Sequence, residues 1–144
     1  MKTTFEEILD RDGKLVYRTK GISMEPMLRQ NRDIIIVEKN SSGLKRFDVA
    51  LYKRGKSYVL HRVIKVMDGY YIIRGDNTYS LEEIPESDVI GVLRTFVRKG
   101  RTVDVDNRTY RMYARFWNFI YPIRSFFMRC RRKASRILKG HPGR

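Results

Sequence analysis

The chain is poor in the residues that build redox and metal sites. It has one cysteine, Cys130, and two histidines, His61 and His141, in 144 residues. One thiol excludes an intrachain disulfide and favours a reducing compartment. Three soft ligands in all are too few for a structural zinc site, and no metal or cofactor is expected. The opening MKTTFEEILDRDGK has no apolar stretch, so it reads as neither a signal peptide nor an N-terminal anchor. No run of ~20 apolar residues occurs, which excludes an ordinary transmembrane helix. Acidic residues are nearly missing from the last third. Residues 98–144 hold 14 of the 31 Lys+Arg against only Asp104 and Asp106, and so carry +12 of the net +15. Such a segment seeks phosphates, of nucleic acid or of anionic lipid.

What is present suffices for one domain and an appendage. A chain of ~150 residues buries ~70% of its extended surface, and the Ile, Val, Tyr and Phe content excludes disorder throughout. Residues 3–12 read as a short helix, capped by Thr3 or Thr4 and ended by Gly13. From Lys14 the pattern is that of strands: KLVYRTK, DIIIVEK, FDVALYKR and SYVLHRVIKVM. Asp68-Gly69 then turns into YYIIRGD, and DVIGVLRTFVRKG turns at Lys99-Gly100 into RTVDVD. Six to eight strands without βαβ alternation predict a mostly β, antiparallel domain over residues 14–106, a unit of 1–106 with its N-terminal helix.

From Asn107 the period becomes helical. Tyr113, Phe116, Trp117, Ile120 and Phe127 share one face, and Arg111, Arg115, Asn118, Ser125 and Arg129 the other. Pro122 disfavours helical geometry at Tyr121 and predicts a kink or two helices. Residues 107–144 thus read as a basic, amphipathic helical tail.

Three short blocks lie on the β-domain. GISMEPML (Gly21–Leu28) holds Ser23 between a permissive Gly21 and a stiffening Pro26. A serine hydroxyl becomes a nucleophile only when a base takes its proton. The sole imidazole outside the tail is His61, in VLHRV. There it shares a strand face with Val59 and Val63, and apolar neighbours keep the ring neutral. The third block, RGDN (Arg74–Asn77), brings Asp76, with Glu82 and Glu83 beyond it. A triad needs one acid to orient the imidazole. Asp76 or Glu82 fits, and the residues themselves leave the choice open. Taken singly, each has an ordinary structural role: a turn serine, a core histidine, an aspartate capping a strand end.

Together, the blocks resemble the type I signal peptidase superfamily, which also contains self-cleaving repressor-type peptidases. Gly21-Ile22-Ser23-Met24-Glu25-Pro26 is similar to its Ser-Met loop, His61-Arg62-Val63 to the strand bearing the base, and Gly75-Asp76-Asn77 to its Gly-Asp-Asn block. Arg46–Lys53 (RFDVALYK) looks like the linking strand. The likeness covers roughly residues 18–95. A histidine at the base position is similar to the endoplasmic-reticulum and archaeal branch, where other branches use lysine. The resemblance implies a serine endopeptidase with Ser23 as nucleophile, His61 as base and a signal or leader peptide as substrate. It places Glu82 where that branch has its third triad member, and Asp76 at the family's other aspartate. Three features depart from the pattern. Gly21 stands where many relatives have an oxyanion-binding serine, Asn31-Arg32 precedes Asp33 where a Gly-Asp pair is usual, and no membrane anchor precedes the domain.

Two further readings use the same residues. One is a catalytically weak or inactive peptide- or membrane-binding module. The other is a regulatory self-cleaving peptidase, which lacks here its usual DNA-binding domain and lysine. The expected partner is an extended peptide. An anionic membrane surface could be met through residues 107–139, or those residues could pack on the β-domain. Aromatics and arginines that sort to separate faces argue against a nucleic-acid groove. Peripheral membrane association and a cytoplasmic location both fit.

Overall fold

The computed structural model describes residues 3–139; His141 lies outside them. Helix α1 (Phe5–Asp12) begins at Thr4 in a capping box. The Thr4 hydroxyl accepts from the Glu7 N–H, and the Glu7 carboxylate accepts from the Thr4 N–H. It ends at Gly13, whose φ of 71° is left-handed.

Eight strands follow: β1 (Lys14–Arg18), β2 (Ile34–Lys39), β3 (Val49–Arg54), β4 (Ser57–Val66), β5 (Tyr70–Arg74), β6 (Glu82–Pro85), β7 (Val89–Arg98) and β8 (Arg101–Asp104). They form one sheet in the order β1-β2-β7-β3-β4-β5-β6, with β8 paired to β7, and every pairing is antiparallel. The protein is thus mostly antiparallel β, with a short N-terminal helix and a helical C-terminal segment. Strand β7 organises it. One of its edges pairs with β2, and the other takes β3 along Val89–Val92 and β8 along Thr95–Arg98. The β7–β8 turn places Lys99 and Gly100 at φ 49° and 73°, the twist a two-residue hairpin requires.

Neighbouring residues alternate between two cores. Leu51 and Leu93 join Leu9, Met27, Leu28 and Phe96 on one face. Ala50 and Val92 join Tyr52, Val63 and Ile73 on the other. Both faces are therefore covered, which explains why Arg62, on the opposite side of β4 from His61, is fully buried as well.

Helix α2 (Arg108–Phe119) starts at Asn107, whose side chain accepts from the Thr109 N–H, and α3 (Tyr121–Lys139) follows after Ile120. The break expected at Pro122 is thus present. The facing of the tail differs from the sequence pattern. Tyr110 and Ala114 are buried against the β-domain, with Tyr113 and Trp117 beside them. Phe116 and Phe127, expected on the same face as those aromatics, are exposed. The physical reason is hydrogen bonding: Tyr and Trp carry polar ends that find partners on the domain, and Phe does not. Among the described residues, no helix is long and apolar enough to cross a membrane.

Candidate active site

Ser23 sits in a run of turns between β1 and β2, held by its backbone. The Met24 and Met27 side chains are sunk into the core, and the Glu25–Pro26 bond is cis. The Ser23 carbonyl accepts from the Asn77 N–H at 2.8 Å, and the Ile22 carbonyl accepts from the Asn77 side chain at 3.1 Å. The Gly-Asp-Asn block therefore clamps the serine loop. Gly75 permits the approach. A Cβ added there would lie 2.6 Å from the Ser23 carbonyl oxygen and 3.1 Å from His61 Nε2. The three blocks singled out in the sequence thus converge on one glycine, which is needed for closeness; its φ is not in the left-handed region.

His61 is buried on β4, opposite Ala50 of β3. Its Nδ1 lies 3.2 Å from the Tyr52 hydroxyl and 3.4 Å from Glu82 Oε1. The Tyr52 hydroxyl donates to Glu82 at 3.3 Å and accepts from Arg54 at 2.9 Å. Arg54 also pairs directly with the Glu82 carboxylate. These partners favour one tautomer. The Glu82 carboxylate beside Nδ1 can only accept, so it is best met by a proton on Nδ1, with the Tyr52 proton directed to the same carboxylate. The phenol oxygen is then free to accept from His61 Nδ1–H, and Nε2 is left with its lone pair.

No described side chain fills Nε2 by a hydrogen bond. No buried side-chain nitrogen or oxygen among the described residues lacks a partner, so this atom is open to solvent. The Ser23 hydroxyl and the ring make no direct hydrogen bond, and the Ser23 N–H likewise has no acceptor among the described residues. Burial pushes the His61 pKa below its ordinary value. Glu82 opposes that shift, Arg54 adds to it and Asp76 opposes it. Burial, reinforced by the Glu82 charge, pushes the Tyr52 phenol well up and keeps it neutral.

The two candidate acids are separated by the fold. Glu82 is in a strand: β6 pairs Glu82 with Ile73 of β5, and this puts the carboxylate beside His61. Asp76 points elsewhere. It binds Arg62 through both oxygens, at 2.7 and 2.8 Å, and accepts from the Tyr113 hydroxyl at 3.1 Å. Its carbonyl accepts from Trp117 Nε1 at 2.9 Å and from the Arg124 guanidinium. Arg62 is completed by the Phe47 carbonyl and the Tyr110 hydroxyl. Asp33 is also structural, accepting from Arg32 and from the Arg29 N–H.

Tyr52 and Arg54 were not singled out from the sequence. The signal was available in the alternation of DVALYKR, which sets Ala50, Tyr52 and Arg54 on one face of β3. The short turn after Arg54 then returns the chain along β4 and sets His61 on that same face.

A groove of about 570 Å³ opens over this site, lined by Ser23, His61 and Glu82 and by apolar Tyr17, Leu51 and Leu60. It runs beside β1, which ends the sheet and has one unpaired edge. Among the described residues no cluster of His, Cys, Asp and Glu is placed to hold a metal ion. No protein-family model matches the chain, and a search of curated proteins finds no match either.

Proposed function

We propose that the protein is a serine endopeptidase in which Ser23 is the nucleophile, His61 the general base and Glu82 the acid behind the base. The observation that carries this reading is the ordering of one imidazole. Its Nδ1 is engaged by Tyr52 and Glu82, while its Nε2 is unfilled beside the Ser23 loop. Nε2 takes the hydroxyl proton as Ser23 Oγ attacks the peptide carbonyl, then returns it to the leaving amine. Glu82 stabilises the imidazolium formed between the two steps. The Ser23 N–H, without an acceptor among the described residues, can donate to the developing oxyanion, a duty for which Gly21 offers no hydroxyl. The substrate is an extended peptide, added to the free edge of β1 with its side chains in the apolar groove. A signal or leader peptide fits the resemblance of the three blocks to signal peptidases. The test is cleavage of a peptide library by the wild type and by Ser23→Ala. Turnover should fall roughly 10³-fold or more in the variant; equal turnover in both removes Ser23 from the chemistry.

A second reading, a peptide-binding module with weak or no chemistry, is favoured by two features. The Ser23 hydroxyl and His61 are not hydrogen-bonded, and Arg54 competes for Glu82. It predicts that the same peptides are retained uncut.

A further inference from the structure

Helices α2 and α3 have a second face that the β-domain does not use. On α2, Met112, Phe116 and Phe119 follow one another at steps of four and three and are all exposed, Phe119 to 83%. On α3 the stripe is Ile123, Phe126, Phe127, Cys130, Ala134, Ile137 and Leu138, at helical spacing and exposed throughout. This stripe extends along most of a 19-residue helix about 28 Å long. Beside it run Arg129, Arg131, Lys133 and Arg136, and residues 107–139 contain no Asp or Glu. Monomeric soluble proteins rarely leave a contiguous apolar surface of this kind uncovered.

We propose that the outward faces of α2 and α3 dock the protein on the surface of an anionic bilayer. The apolar stripes would lie at the level of the acyl chains and the arginines among the headgroup phosphates. Charge decides the occupant. A second copy of this chain would bring two acid-free, basic helix pairs together. A nucleic acid would satisfy the arginines and leave Phe119, Ile123 and Phe126 uncovered. A negative lipid surface satisfies both halves of the pattern. The attachment also reaches the Ser23 groove. The inward side of the same helices grips the Gly75–Tyr79 loop, through Trp117 and Arg124 on the Asp76 carbonyl and Tyr121 on the Tyr79 carbonyl. Docking is argued from the helices alone and does not depend on the peptidase reading.

The test is co-sedimentation of the full chain with phosphatidylcholine vesicles, with and without phosphatidylglycerol, at low and high salt. Cys130, the only cysteine, provides a second readout, because it lies on the proposed lipid face and is exposed. A polarity-sensitive dye on it should shift to the blue with the mixed vesicles. Phe119→Asp and Phe126→Asp, at exposed positions that leave the core intact, should each weaken binding roughly tenfold or more. The proposal is overturned if the wild type stays in solution with the mixed vesicles at low salt, or if both variants bind as well as the wild type. It is also overturned if the wild type forms a dimer that Phe119→Asp dissolves and neither species binds vesicles.

Discussion

Strand β4 carries an arginine–carboxylate pair on one side and lies against another on the other side, and the two pairs do different work. Arg62–Asp76 is fully enclosed, with side-chain exposures of 0% and 3%, and its remaining side-chain bonds go to Tyr110, Tyr113, the Phe47 carbonyl and the Met27 sulfur. Arg54–Glu82 is half open, at 51% and 28%, and touches His61. A buried pair of charges cannot lose one member cheaply, so the first acts as a fastener joining β4, the Gly-Asp-Asn loop and α2. The second remains partly exposed to solvent, and sets the charge behind a titratable ring. Burial, rather than residue type, separates a structural aspartate from a carboxylate left free to act on the imidazole.

The sharpest way to break the comparison is to neutralise the fastener. Asp76→Asn leaves Arg62 buried and unpaired and should cost about 3–5 kcal/mol of stability in urea titration. Peptide turnover per folded molecule should change far less. If turnover collapses while stability holds, Asp76 belongs to the chemistry and the two pairs have been read the wrong way round. Gly75→Ala comes next. Its Cβ meets backbone at the Ser23 carbonyl, which cannot swing away, so a cost of about 1–3 kcal/mol is expected together with a fall in kcat. An unchanged melting curve and unchanged kcat would deny the close convergence of the three blocks. The smallest effects lie at the open pair, as opposite shifts in one titration. As the proposed base, His61 must be neutral to act, so kcat/KM should rise with pH through its pKa, and burial should place that acid limb below the ordinary imidazole value. Arg54→Met removes a charge that lowers this pKa, so the limb should move to higher pH. Glu82→Gln removes one that raises it, so the limb should move lower, with kcat reduced as well. Shifts of the same sign in both variants would disconnect the pair from the ring.

How much of this was legible follows from range. The capping box at Thr4, the hairpins at Asp68-Gly69 and Lys99-Gly100 and the helix break before Pro122 are local events, and their residues announce them. Ser23 and His61 stood out because few other residues could serve. The choice between Asp76 and Glu82 depends on strand register. Only the pairing of Ile73 with Glu82 aims the glutamate at the imidazole, and β6 is too short and too charged to read as a strand. Arg62 was hidden for a related reason. Alternation placed it opposite His61, but did not reveal that α2 returns from residue 108 onward to roof that face. The facing of the tail was misread because Phe, Tyr and Trp count alike in an apolar pattern, although only the last two can bond to the domain they cover.

The most direct measurement is reaction of the folded protein with an active-site-directed phosphonate, followed by peptide mapping. The account predicts a single adduct on Ser23, formed far more slowly in His61→Ala and at a near-normal rate per folded molecule in Asp76→Asn. A folded wild-type protein that takes up no phosphonate at Ser23, or one that His61→Ala labels just as fast, would contradict it.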